Sequence, residues 1–152
     1  MNARIRRFKR ILSTKEQWRD EERKRLAEER KAEDDIACSL ERLDVERKDA
    51  LRDFSEESGR VCTCMDLWLR RQVVDTVDKN ISERTTQLSS VRKQIACTEV
   101  RLTERHQEVR IMETFIGNLV NDGKLKREKS EQEELDDFAG IRYQGKPMED
   151  DE

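Results

Sequence analysis

Counting in sevens from Leu67 gives Leu67, Val74, Ile81, Leu88, Ile95, Leu102, Val109 and Ile116, and every one of them is apolar. The companion series, three residues on, runs Arg70, Val77, Arg84, Val91, Thr98, Arg105, Met112 and Leu119, with Val77, Val91, Met112 and Leu119 apolar. An apolar period of seven held this long keeps one stripe of a helix against a partner helix and implies a left-handed supercoil. The rest of the chain must supply that partner or leave the stripe to another copy.

Composition agrees with a narrow structure. Charged residues make up 44% of the 152 and hydrophobic ones only 34%, whereas a globular domain needs about half its residues apolar. With five glycines and one proline, a loop-rich fold is excluded and an all-α reading follows.

The first segment carries a weaker form of the same period. Ile5, Phe8, Leu12, Leu26, Ile36, Leu40, Leu43, Ala50 and Phe54 fall on one seam, but Lys15, Arg19, Glu22, Glu29 and Glu33 occupy positions between them. The stretch RDEERKRLAEERKAEDD is a strong helix former by propensity and by its acid–base pairs, yet it offers a poor packing face.

Gly59, the only glycine before Gly117, separates the two segments. A chain folding back there has facing residues whose numbers sum to roughly 119 in an antiparallel pair of helices, each rising about 1.5 Å per residue. Residue 3 then meets residue 116, where the second stripe runs out, just before Gly117 and the turn-like NDGK of Asn121–Lys124. The expected fold is therefore a long antiparallel two-helix coiled-coil hairpin, all-α, with a short C-terminal helical extension and an acidic tail. Its parts are a first helix over 1–58, a bend at 59–63, a second helix over 64–119 and the extension and disordered tail over 120–152.

Several motifs look chemical and fail on spacing. Cys62-Thr-Cys64 is not the C-x-x-C of a zinc site, and Cys38 and Cys97 fall too far apart along a hairpin to complete one. GIRYQGKP, Gly140 to Pro147, copies the start of a phosphate-binding loop but has Pro147 where that loop needs Ser or Thr. His106, the only histidine, sits on a charged helix with no converging groups for acid–base or metal work. The expectation is a protein without catalytic residues, metal or cofactor. Trp18 and Trp68 cannot be fully covered on so thin a structure, and each is either packing or a partner contact.

Charge is unevenly spread. The opening MNARIRRFKRIL holds five bases and no acid, while Glu128 to Glu152 holds ten acids and three bases. With a net charge of −3, general nucleic-acid binding is disfavoured. No apolar run approaches a signal-peptide core or a membrane span, so a soluble intracellular protein with reduced cysteines is expected. The fold-back sets the basic start beside the acidic stretch Glu128–Asp137.

Three passages, RIRRFKRIL, DLWLRRQV and EQEELDDFAGIRY, together with the length and the two-helix layout, resemble the small coiled-coil stalk proteins of type III secretion systems. These are the YscO/HrpO group and its flagellar relative FliJ. The most specific piece is the Glu/Gln run closing on Asp136, Asp137 and Phe138. The resemblance implies a stalk that binds the hexameric secretion ATPase and couples it to the export gate and to secretion chaperones. It also implies a cytoplasmic location, peripheral to the inner-membrane apparatus. On that reading Arg4, Arg6, Arg7, Phe8, Arg10, Asp136, Asp137 and Phe138 form the ATPase end. Trp68, Leu88, Val91 and Ile95 are the expected gate or chaperone contacts. A homodimeric coiled-coil scaffold and a chaperone-like protein are the alternatives, separable by mass and by binding of unfolded clients.

Overall fold

A computed structural model describes residues 3–145. It contains two helices, α1 over Ala3–Ser58 and α2 over Cys64–Gln144, joined by residues 59–63. They pack antiparallel as a hairpin, and their contacts divide into two units. One comprises Trp18–Arg105 and includes the turn; the other is made of Met1–Gln17 with His106–Glu152.

The heptads set what is covered. All eight residues of the Leu67–Ile116 series are buried or half-buried, and in the companion series only Arg70 and Arg84 are exposed. On α1 the alternating steps of three and four from Ile5 to Phe54 are likewise turned inward, including Lys15, Arg19, Glu22, Glu29 and Glu33. The charged positions stay in the seam because the period, not the individual side chain, decides which way a helix faces.

The register differs from the expected one. Phe8 meets Phe115, Lys15 meets Glu108 and Glu22 meets Arg101, and each pair sums to 123. Glu33 with Arg92 and Arg47 with Asp78 sum to 125. The expected sum of 119 placed the fold axis at Gly59 itself. A five-residue connection, 59–63, moves that axis to Val61 and Cys62.

Gly59 ends α1 without a left-handed conformation, since no described glycine has a positive φ. Its N–H donates to the Glu56 carbonyl at 3.2 Å and that of Arg60 donates to Glu57 at 3.1 Å, a tightened last turn that satisfies two of the orphan carbonyls. α2 then starts from a reciprocal cap. The Asp66 N–H donates to Thr63 Oγ1 at 3.2 Å, while the Thr63 N–H donates to Asp66 Oδ2 at 3.2 Å.

NDGK is not a turn. Asn121–Lys124 are helical, and α2 is continuous through Gly117 and Gly123 to Gln144. Each glycine costs a helix interior about 1 kcal/mol, which the surrounding Lys, Arg, Glu, Gln and Leu residues outweigh in the absence of a proline. The tail from residue 146, which holds the end of the acidic segment, lies outside the described residues. No helix among the described residues is long and apolar enough to cross a membrane.

Candidate partner-binding surfaces

In the terminal unit, α1 begins with Ile5, Phe8 and Leu12 half-buried against the α2 stretch that holds Val109, Met112 and Ile116. Val109 is only 2% exposed, the tightest apolar packing of the chain. Phe8 meets Phe115 edge to face, with centroids 4.9 Å apart at 80°, and Arg4 lies 5.9 Å over the Phe8 ring. Thus Phe8 is a seam residue, whereas Arg4, Arg6, Arg7 and Arg10 are exposed.

At a register of 123, residue 3 faces residue 120, so among the described residues nothing of α1 lies opposite the last part of α2. From Lys124 to the end of the described residues every side chain is exposed, including Asp136, Asp137 and Phe138, the last at 71%. Leu125, Leu135, Ile141 and Tyr143 are exposed with it. The expected pairing of the basic start with Glu128–Asp137 is therefore not formed as a side-by-side contact. Glu128 lies eight residues past the end of the overlap, about 12 Å further along the helix, and Asp137 about 26 Å.

In the other unit, Ile95 is buried and Leu88 and Val91 are half-buried, all three in the seam under α1. Only Trp68 of the expected gate or chaperone contacts is open, at 55%. Trp18 is exposed and carries the Arg105 guanidinium 5.0 Å above its ring. Met65, Leu69 and Val73 join Trp68 as exposed apolar residues at the start of α2. Their spacing of four was legible in the sequence but lies on the face opposite the heptads, outside the seven-residue pattern.

The cysteines have structural surroundings. Thr63 between Cys62 and Cys64 is the helix cap, and Cys62 Sγ donates to the Glu57 carbonyl at 3.3 Å. Partial burial pushes the Cys62 thiol above its ordinary pKa, and the charges of Glu57, Asp66 and Cys64 add to the rise. All four cysteines are free thiols, and among the described residues no group of three His, Cys, Asp or Glu side chains is placed to hold a metal. Gly140–Gln144 are helical, which a phosphate-binding loop cannot be; Lys146 and Pro147 lie outside the described residues. His106 is exposed.

A seam closed within one chain, with apolar and charged residues left outside it, defines an intramolecular coiled-coil hairpin. The family model of the flagellar FliJ protein matches residues 4–147, and the chain belongs to that family. It is thus a coiled-coil protein associated with flagellar and type III export. Comparison with curated proteins and with solved structures found no match.

Proposed function

We propose that this chain is the stalk of an export apparatus: its terminal unit binds the hexameric export ATPase, and the unit with the turn meets the export gate and substrate chaperones. The observation that carries the reading is the single-helix stretch from Lys124 to Gln144, exposed throughout and, among the described residues, without a helix opposite it. An isolated helix of some twenty residues is marginal in water, and its stability in proteins comes mostly from packing of one face. Leu135, Phe138 and Ile141 supply such a face, ringed by Glu131, Glu134 and Asp137. The separate basic cluster at Arg4, Arg6, Arg7 and Arg10 offers a second, oppositely charged contact to the same partner.

A ring of subunits that cycle through states favours many modest contacts over a few strong ones, and exposed charge pairs of about 0–1 kcal/mol each fit that need. Leu88, Val91 and Ile95 reach a partner only where the two helices part, so Trp68 is the standing contact of that unit. The test is ATPase stimulation. Changing Arg6→Glu, Arg7→Glu and Arg10→Glu leaves the helical circular dichroism intact and abolishes stimulation of the cognate hexamer. Full stimulation by that variant at low and moderate salt removes the terminal unit as the ATPase contact.

A further inference from the structure

The start of α2 is apolar on two opposite faces. Leu67, Val74, Val77 and Ile81 turn toward α1, whereas Met65, Trp68 and Leu69 lie exposed. At 100° per residue, Met65, Trp68, Leu69 and Gln72 all fall within about 55° of the direction opposite the seam. Val73 borders this stripe, at 52% exposure. Tryptophan with neighbouring arginine is the composition of energetic centres in protein interfaces.

The charges beside the stripe are not balanced. Among the described residues, Arg60, Arg71 and Lys79 make no ion pair. Of the acids within residues 65–79, Asp66 is held in the cap with Thr63 and Asp78 takes Arg47 at 2.6 Å, which leaves Asp75 uncommitted in that span, with Glu83 one turn beyond Lys79. The middle of the stripe is Gln72, an amide. A lipid surface would have to desolvate that amide and Asp75 without providing fixed partners, which is unfavourable. A carboxylate-bearing helix satisfies it.

We infer that the outer face of α2 over residues 65–79 is a docking surface for an amphipathic helix of a partner protein, one whose large apolar stripe is flanked by Glu and Asp. The partner's apolar residues cover Met65, Trp68 and Leu69. Its acids meet Arg71 and Lys79, and a further acid or amide meets Gln72. The stripe spans about four turns and forms a small interface, so a dissociation constant on the order of 10–100 µM is expected, suited to repeated engagement. This deepens the reading of Trp68 as a gate or chaperone contact and rests on it.

A Trp18→Phe background makes Trp68 the sole indole. Titrate it with a 21-residue synthetic helix that has Leu at the core heptad positions and Glu on both flanks; like charge keeps such a peptide from pairing with itself. The expected result is a blue shift of Trp68 emission that saturates in the micromolar range. The same peptide with Lys flanks binds at least tenfold more weakly. Adding Arg71→Glu and Lys79→Glu reverses the preference between the two peptides while leaving the helical circular dichroism unchanged. Equal binding of both peptides, or no shift at millimolar peptide, overturns the inference. So does a shift produced by phosphatidylglycerol vesicles but not by the peptide, or by raising the protein concentration alone. ATPase stimulation by the Arg6, Arg7 and Arg10 variant reads the terminal unit only, so failure there and failure here are separate results.

Discussion

Arg101 and Glu22 meet across the seam, Nε to Oε2 at 3.4 Å, and the same guanidinium donates to Thr98 Oγ1 at 3.1 Å. Thr98 is fully buried and Glu22 is 9% exposed, so a hydrogen-bonded polar layer stands where a coiled coil ordinarily puts leucine. Arg25 closes the far side of Glu22 at 3.6 Å. Removing Arg101 leaves the buried Glu22 carboxylate with only the longer contact to Arg25. Arg101→Met lowers thermal stability by about 1–3 kcal/mol, and Glu22→Leu combined with Arg101→Met recovers it or exceeds it. Circular dichroism melts of the two variants decide this.

Two turns further along α1, Glu29 has a buried carboxylate oxygen with no hydrogen-bond partner. Its position in the seam calls for an apolar side chain, and Glu29→Leu raises the melting temperature. The same cluster makes residues 20–35 exchange amide hydrogens sooner than residues 36–54, because Ile36, Leu40, Leu43 and Ala50 restore an apolar seam there. Uniform protection along α1 would count against a weak middle.

The glycines give opposite expectations. Gly117 and Gly123 sit in open helix with nothing within 4 Å of an added Cβ, so Gly117→Ala and Gly123→Ala each gain about 1 kcal/mol of helix stability. Gly59 has no positive φ, and a Cβ there meets the Glu56 carbonyl at an ordinary 3.6 Å. Gly59→Ala therefore keeps the hairpin, with a stability change within about 1 kcal/mol. Loss of the fold in that variant would show that the turn needs glycine after all.

Ending the chain after Gly123 removes only exposed side chains among the described residues, so the melting temperature of the remaining hairpin changes little. If the terminal unit binds the export ATPase as proposed, stimulation of that enzyme is lost. In the intact protein free of partners, trypsin cuts first at Lys124, Lys126, Arg127 and Lys129, where no second helix shields the backbone. On the proposed contact, saturating ATPase protects these sites, and unchanged cleavage counts against it.

The two cysteines at the turn differ in reactivity. The raised pKa of Cys62 lowers its thiolate fraction at any pH below that value, and Cys64 is the more exposed. At pH 8, Cys64 alkylates with iodoacetamide faster than Cys62, and the gap narrows as pH rises through the Cys62 pKa. Mass spectrometry of partly labelled protein reads both rates.

A seam closed within one chain predicts a monomer of 18.1 kDa by sedimentation. Twice that mass at micromolar concentration would favour a homodimeric scaffold.

The all-α hairpin and the direction each residue of the seam faces were determined by the sequence alone. The seven-residue period is a local geometric constraint, and it put even Glu22 and Glu29 inward. The turn was legible as a place, because glycine, threonine and aspartate have strong local preferences. Its length was not, since a loop's span depends on how two helices pack, and so the register moved by about four residues. The unbroken run of α2 through Asn121–Lys124 keeps the basic start apart from the acids at 128–137, because a salt bridge needs positions brought within 4 Å, and composition does not carry position. Continuity of α2 through Gly117 and Gly123 was also undecided by pattern, since two weak helix formers compete with strong neighbours over a sum that residue order alone does not settle. Likewise the stripe at Met65, Trp68 and Leu69 was present in the order of residues, but only once the other face was occupied by α1 did it stand out as a surface with nothing against it.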